Sequence, residues 1–242
     1  MFFERIGNED SEIRLIWLHG WGVDHTSLSY IASSFSQYDN YLLDLAGFGK
    51  TKEPTEAWDT LDYAKSVNNF IESLTQKKTI VLGHSFGGRV CIQLASNCFK
   101  EVSGIVLIGG AGLQKKRSIF FKIYMFLIKT FGPMLKKIFP FLSKIKVGSS
   151  DYKKTSGTMR EIIKKTLNEN LENISQNIKI PTLLIYGSND TATPPCFGET
   201  YNKNIKNSKL FVIPNADHYS LLQEHSKQTQ YFIINFLKEN FL

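Results

Sequence analysis

The chain has 242 residues and 42% hydrophobic content, which suits one α/β domain with an insertion and a real core. Its three cysteines, Cys91, Cys98 and Cys196, are an odd count without paired spacing, which excludes a disulfide framework; the formal net charge is +7. The opening residues Met1-Phe2-Phe3-Glu4-Arg5 lack the basic-then-apolar order of a signal peptide, so a cytoplasmic protein is expected.

Short apolar runs alternate with amphipathic stretches, the sign of a mostly parallel sheet covered by helices. Strands are expected over 13–18, 39–44, 79–83, 104–109, 181–187 and 208–213, with a short edge strand at 2–6. Helices are expected near 26–36, 59–75, 88–98, 195–206 and 220–239. About seventy residues separate the strand ending at Gly109 from the one beginning at Pro181, too many for a single crossover helix. A helical cap is therefore expected over 113–175, on a core built from 1–112 and 176–242. Breaks at Gly132-Pro133, Phe139-Pro140 and Gly148-Ser149-Ser150 divide it into several short helices.

The strand Thr79-Ile80-Val81-Leu82 runs directly into Gly83-His84-Ser85-Phe86-Gly87, a Gly-x-Ser-x-Gly turn followed by a helical pattern. Such a turn presents the Ser hydroxyl at its apex, and the following helix aims its N-terminal dipole at it. A Cβ at Gly83 or Gly87 would clash with neighbouring backbone. Serine needs a base to take its proton, and the base needs an acid to hold it. Only His218 and His225 follow Ser85. His218 sits just past the strand ending at Ile213; His225 falls in the following helical pattern and reads as a surface residue. Asp190, just past the strand ending at Tyr186, is the acid candidate between Ser85 and His218. Asp217 cannot easily turn back on its own neighbour, Asp44 precedes the turn and reads as a loop-structuring residue, and no acid follows the strand 104–108.

Acyl transfer builds negative charge on a carbonyl oxygen, which two preorganised N–H groups can bind. One donor is the amide of Phe86. The other is assigned to Trp21, because His19-Gly20-Trp21-Gly22 ends the apolar strand 15–18 and its glycines let the backbone turn its amides toward a ligand. The pocket is expected to involve His19, Gly20, Trp21, Phe120 and Tyr124. No Cys/His cluster has metal-ligand spacing, and no dinucleotide or phosphate loop is present, so neither metal nor cofactor is expected.

These stations, with Asp44-Leu45-Ala46-Gly47-Phe48-Gly49 between the first two, resemble the α/β-hydrolase superfamily in its capped serine esterase-like branch, from about residue 10 to the end. The resemblance implies a mostly parallel central sheet flanked by helices, with a helical cap inserted after the sixth strand. It also implies that the antiparallel hairpin usual at the start of the family is trimmed here. Ser in place of an Asp nucleophile implies cleavage of an ester, a thioester or a C–C bond. The motif pairing is similar to bacterial carboxylesterases that demethylate pimeloyl methyl ester on acyl carrier protein, which implies a hydrophobic or medium-length acyl group. A C–C hydrolase would need a polar pocket for a second carboxylate, for which Arg89 or Arg160 are candidates. A membrane-associated lipase and a non-catalytic binding protein of the same fold are further alternatives.

Residues 113–150 carry nine basic residues, Lys115, Lys116, Arg117, Lys122, Lys129, Lys136, Lys137, Lys144 and Lys146, and no Asp or Glu. Interleaved apolar residues, among them Phe120, Phe121, Tyr124, Phe126 and Phe131, are interrupted too often to span a bilayer. Three readings stay open: a solvated basic exterior over an apolar face, docking of an acidic acyl carrier protein, or contact with an anionic membrane. Nucleic acid is not expected, because no binding motif accompanies the charge.

Overall fold

The computed structural model describes residues 1–97, 99, 101–114 and 155–242. Contacts divide the chain into one unit of Met1–Leu113 with Ser156–Leu242 and a second of Gln114–Thr155. The first unit holds β1 (Phe3–Gly7), β2 (Ile13–Leu18), α1 (Thr26–Ala32), β3 (Asp39–Leu43), α2 (Thr60–Glu72), β4 (Lys78–His84), α3 (Phe86–Ser96) and β5 (Val102–Ile108). It continues with α4 (Gly157–Asn168), α5 (Glu172–Ser175), β6 (Thr182–Gly187), α6 (Pro195–Asn204), β7 (Ser208–Ile213) and α7 (Ser226–Phe241). The seven strands form one sheet in the order β1-β3-β2-β4-β5-β6-β7, in which β1 is antiparallel to β3 and the rest are parallel. The long insertion follows β5. The count is one lower than the resemblance implies because the opening hairpin is represented by β1 alone.

Both faces of the central strands are covered, so they read as continuous apolar runs. Along β2, Leu15 and Trp17 point into one core with Leu28, Phe35 and Ile233, while Ile16 and Leu18 point into the other with Tyr63, Val90 and Leu94. Each such aliphatic side chain contributes about 1.5–3 kcal/mol on burial. Trp17 stays satisfied through Nε1, which donates to Asn40 Oδ1 at 2.9 Å. Helix α2 begins with a capping box: Asp59 accepts from the amides of Leu61 and Asp62, and Asp62 returns a bond to the Asp59 amide.

Two expectations shift. The helix read over 220–239 is a short 3-10 turn at Ser220–Leu222 followed by α7. Asp217 Oδ1 accepts from the amides of Tyr219 and Ser220, which winds the chain tightly ahead of the helix, and half-buried His225 caps α7 instead of lying within it. The second shift concerns the insertion expected over 113–175. Helices α4 and α5 belong to the first unit, and the separate unit spans only Gln114–Thr155. Met159, Ile162, Ile163 and Thr166 make one buried face of α4, and Met159 and Ile162 join the core that contains Phe48, Leu113 and Leu171. Arg89 Nη1 donates to Thr166 O at 2.6 Å, tying the end of α4 to α3. Glu169 accepts from the amide and hydroxyl of Thr60.

At the N-terminal ends of the parallel strands, the fully buried Asp39 side chain gathers three cations. Arg5 Nε and Lys77 Nζ bond it at 2.8 and 2.9 Å, and Arg14 Nε lies 3.6 Å away. Burial alone would raise the Asp39 pKa, but Arg5 and Lys77 outweigh it and hold the carboxyl below its usual range. Because the folded pKa is depressed, this contribution is present above the unfolded value of about 4 and is lost as pH falls through the folded one. Asp39→Asn is expected to cost about 3 kcal/mol at pH 7 in urea unfolding, and the gap to wild type should narrow below about pH 4. An equal gap at both pH values would show that the charge is not what matters.

Candidate active site

The site is assembled where β2, β4, β6 and β7 end. Ser85 lies between β4 and α3 at φ +51°, ψ −106°, a backbone conformation costly for a residue with a Cβ. The turn is as tight as its sequence demands. A Cβ on Gly83 would lie 2.4 Å from the backbone carbonyl of Gly87, and one on Gly87 would lie 2.2 Å from Leu18 O. Backbone bonds pin the apex: Ser85 N donates to Ile108 O at 3.1 Å, and Ser85 O accepts from the amides of Gly88 and Ala111 at 3.0 Å each. The Gly87 amide donates to His19 O at 3.1 Å, locking the loop after β2 to the turn.

His218 and Asp190 come together. His218 Nδ1 lies 2.7 Å from Asp190 Oδ2, with the ring mostly and the carboxylate fully buried. The second carboxylate oxygen accepts from the amides of Ala192 and Thr193, each at 2.8 Å. Burial would raise the Asp190 pKa, but the hydrogen bond and charge of His218 and the bonds from Thr193 bring it below its usual value. Because Nδ1 is occupied by Asp190, Nε2 is the nitrogen left for proton exchange.

Two side chains here escape sequence reasoning. His84, inside the turn itself, places Nε2 3.0 Å from His218 O, and its ring lies 4.7 Å from the His218 ring. A carbonyl only accepts, so His84 Nε2 carries a proton. Burial, then the neighbouring His218, push the His84 pKa down to about 3, which keeps that ring neutral. Thr193 is the second: its hydroxyl lies 2.8 Å from Asp190 Oδ2. The usable signal was local, an Asp followed three residues later by Thr and then Pro194-Pro195 opening a helix.

The expected pocket residues divide. His19 is completely buried, with Nδ1 bonded to Gly20 O at 2.7 Å and Nε2 accepting from Leu45 N at 3.0 Å. It therefore braces the loop from behind instead of facing a ligand, and burial holds its pKa low. Gly20 is buried against His84 and Ser85. Trp21 is half-buried and packs edge-on against Phe48 and Phe86, with centroids at 4.9 and 5.2 Å; Phe86 in turn meets Tyr63 at 5.1 Å. Phe120, Tyr124 and the nine basic residues of 113–150 lie outside the described residues, as does Cys98. Of the candidate carboxylate anchors, Arg89 is buried and committed to Thr166 O, and Arg160 is exposed on α4. Asp44 structures its loop, accepting from the amides of His25 and Lys50 and lying 2.7 Å from His25 Nδ1. With Asp24 these two form a His/Asp cluster that linear spacing did not reveal; Asp24 itself accepts from the amide and hydroxyl of Thr26.

With that geometry in view, comparison with known proteins is informative. Residues 13–132 match the family model described as alpha/beta hydrolase fold, and residues 159–240 match one described as TAP-like protein. A pimeloyl-[acyl-carrier protein] methyl ester esterase of Wigglesworthia glossinidia brevipalpis is 27% identical, over 97% of this chain and 98% of the relative. An AB hydrolase superfamily protein of Bacillus subtilis is 26% identical over 94% and 91%. Among solved structures, a lipase-esterase related protein from Clostridium acetobutylicum superimposes with a TM-score of 0.75 at 24% identity, covering 97% of this chain and 98% of that one. The chain belongs to the α/β-hydrolase superfamily.

Two glycines of the site separate space from strain. Gly22 has φ +77° with nothing within 4 Å of an added Cβ, whereas Gly87 has no room for one. Gly22→Ala should cost only the left-handed strain, about 1–2 kcal/mol. Gly87→Ala should cost about 3 kcal/mol or fail to fold, since backbone must move. Thermal melts of the two variants check the order; equal losses would mean that the turn is looser than its geometry.

Proposed function

We propose that the protein is a serine hydrolase that cleaves a carboxylic ester, or a thioester, of a hydrophobic or medium-chain acyl group through an acyl-enzyme. The reading is supported by the 2.7 Å His218–Asp190 pair, by the 3.0 Å bond that ties His218 O to His84 next to Ser85 in the chain, and by the positive φ of Ser85. Ser85 Oγ attacks the ester carbonyl while its proton passes to His218 Nε2. The carbonyl oxygen becomes an oxyanion, which the amides of Trp21 and Phe86 bind; each such donor contributes about 3 kcal/mol to the transition state. Asp190 keeps the ring in the Nδ1–H form and stabilises its positive charge. The tetrahedral intermediate collapses as His218 gives its proton to the leaving alcohol. Water then repeats the sequence: His218 takes its proton, hydroxide adds to the acyl carbon, and Ser85 Oγ leaves with the proton returned.

The acyl side is read from Trp21, Phe48, Phe86 and Tyr63, an aromatic cluster on the N-terminal side of α3. The commitment of Arg89 to Thr166 O argues against a C–C hydrolase that would need it for a carboxylate. The relative named for pimeloyl-[acyl-carrier protein] methyl ester supports an acyl group delivered on a carrier, and the basic run 113–150 has the sign needed to attract an acidic one.

Hydrolysis of p-nitrophenyl esters from acetyl to palmitoyl is expected to peak at medium chain length, and Ser85→Ala should lower kcat by at least about 10⁴-fold with an unchanged melting temperature. Retained turnover in Ser85→Ala would sink the assignment of the nucleophile. For a carrier-bound ester, kcat/KM should fall several-fold between 50 and 300 mM salt, while small esters respond little. Activity that instead rises sharply on anionic vesicles would favour a lipase acting at a membrane.

A further inference from the structure

Thr193 stands at a junction the triad does not need on paper. Its side chain is buried, and its Oγ1 has three polar neighbours: Asp190 Oδ2 at 2.8 Å, Gly109 O at 2.9 Å and His218 Nδ1 at 3.1 Å. Gly109 is packed so closely that an added Cβ would lie 3.2 Å from His218 Nδ1 and 3.4 Å from Asp190 Oδ2. One hydroxyl proton therefore faces two acceptors, a carboxylate and a carbonyl, while the His218 Nδ1–H can reach both Asp190 Oδ2 and Thr193 Oγ1.

We propose that Thr193 is a positioning residue whose rotatable hydroxyl sets how much of the Asp190 charge is available to His218. This rests on the reading of Ser85, Asp190 and His218 given above. In the resting site the hydroxyl donates to Asp190 Oδ2, the charged and therefore stronger of its two acceptors, and disperses its charge. When His218 accepts the serine proton, turning the Thr193 hydroxyl to Gly109 O leaves Oδ2 to the imidazolium. No bond other than these hydrogen bonds changes. Valine has nearly the same shape and lacks the hydroxyl; serine keeps it.

Among the described residues, the ionisable groups around the ring are Asp190 from the loop after β6, His84 at the end of β4, and Asp217 and Tyr219 on His218's own loop. Tyr186 on β6 faces Asp190, and burial holds its hydroxyl protonated while it donates to Gly110 O at 2.8 Å. Among these, only Asp190 loses a hydrogen-bond partner in Thr193→Val.

Thr193→Val is expected to lower kcat/KM for a p-nitrophenyl ester about tenfold with KM nearly unchanged, and to move the acid limb of its pH profile to higher pH. Thr193→Ser should restore both. An NMR titration of the His218 imidazole in wild type and both variants reads the same shift without turnover. If wild type hydrolyses no ester, the esterase reading fails while the titration still tests Thr193. An unmoved titration in Thr193→Val overturns this proposal, as does a loss of activity that Thr193→Ser shares. Melting temperatures of both variants separate either outcome from misfolding.

Discussion

The approach of strand β4 to helix α3 is the constraint on which the rest depends. Two glycines let the backbone double back within van der Waals contact, and that forces the residue between them to positive φ. Strain of this kind, of order 1–3 kcal/mol, persists only when its surroundings over-determine it. Here they do: the Ser85 amide and carbonyl are bonded to Ile108, Gly88 and Ala111, and the Gly87 amide is held by His19 O. The same bonds that tolerate the strain bring the ends of β2, β4 and β5 together. A protruding serine and the loop that faces it are thus products of a single packing problem.

Burial then sorts the polar groups at that end of the sheet. His19 and His84 are both driven toward the neutral form; both ring nitrogens of His19, and Nε2 of His84, bond backbone. His19 fastens the loop after β2 to the loop after β3; His84 fastens the turn to the loop after β7. For both, burial outweighs the pull of nearby carboxylates, Asp44 on His19 and Asp190 on His84, and these ring bonds go to backbone, not to a carboxylate. His218 bonds a carboxylate, which is itself steadied by two amides and a hydroxyl. Two neutral histidines brace the scaffold, while His218 is held by a carboxylate.

The strands were readable because a parallel strand covered on both faces is an uninterrupted apolar run, as in Leu15-Ile16-Trp17-Leu18 and Thr79-Ile80-Val81-Leu82. Ser85 and Asp190 each follow such a run, whereas His218 follows the edge strand β7, apolar in sequence but only partly covered. Helix α4 was assigned to the insertion because the spacing of Met159, Ile162, Ile163 and Thr166 describes an apolar face without saying what covers it. A histidine beside glycines suggests a ligand, but the His19 ring is buried and bonded to Gly20 O and the distant Leu45 amide, a contact that local spacing does not reveal. The bond from His84 to His218 O links positions 134 apart, so no local pattern encodes it.

Chain order also separates two pairs that geometry alone would not. His25 and Asp44 are joined at 2.7 Å, the same separation as His218 and Asp190, and both pairs are buried. Their remaining atoms differ. His25 Nε2 lies 3.6 Å from Glu4, and Asp44 is engaged by the amides of His25 and Lys50, so that this pair closes the start of α1 onto the loop after β3. Among the described residues, no serine at positive φ precedes either residue in the chain. The order Ser, Asp, His has physical content in a parallel sheet: each of these residues ends a strand or the loop beyond it, at the same edge. A His–Asp hydrogen bond is therefore a structural tie wherever it forms, and it becomes chemistry only where the fold also presents a nucleophile to the ring's other nitrogen.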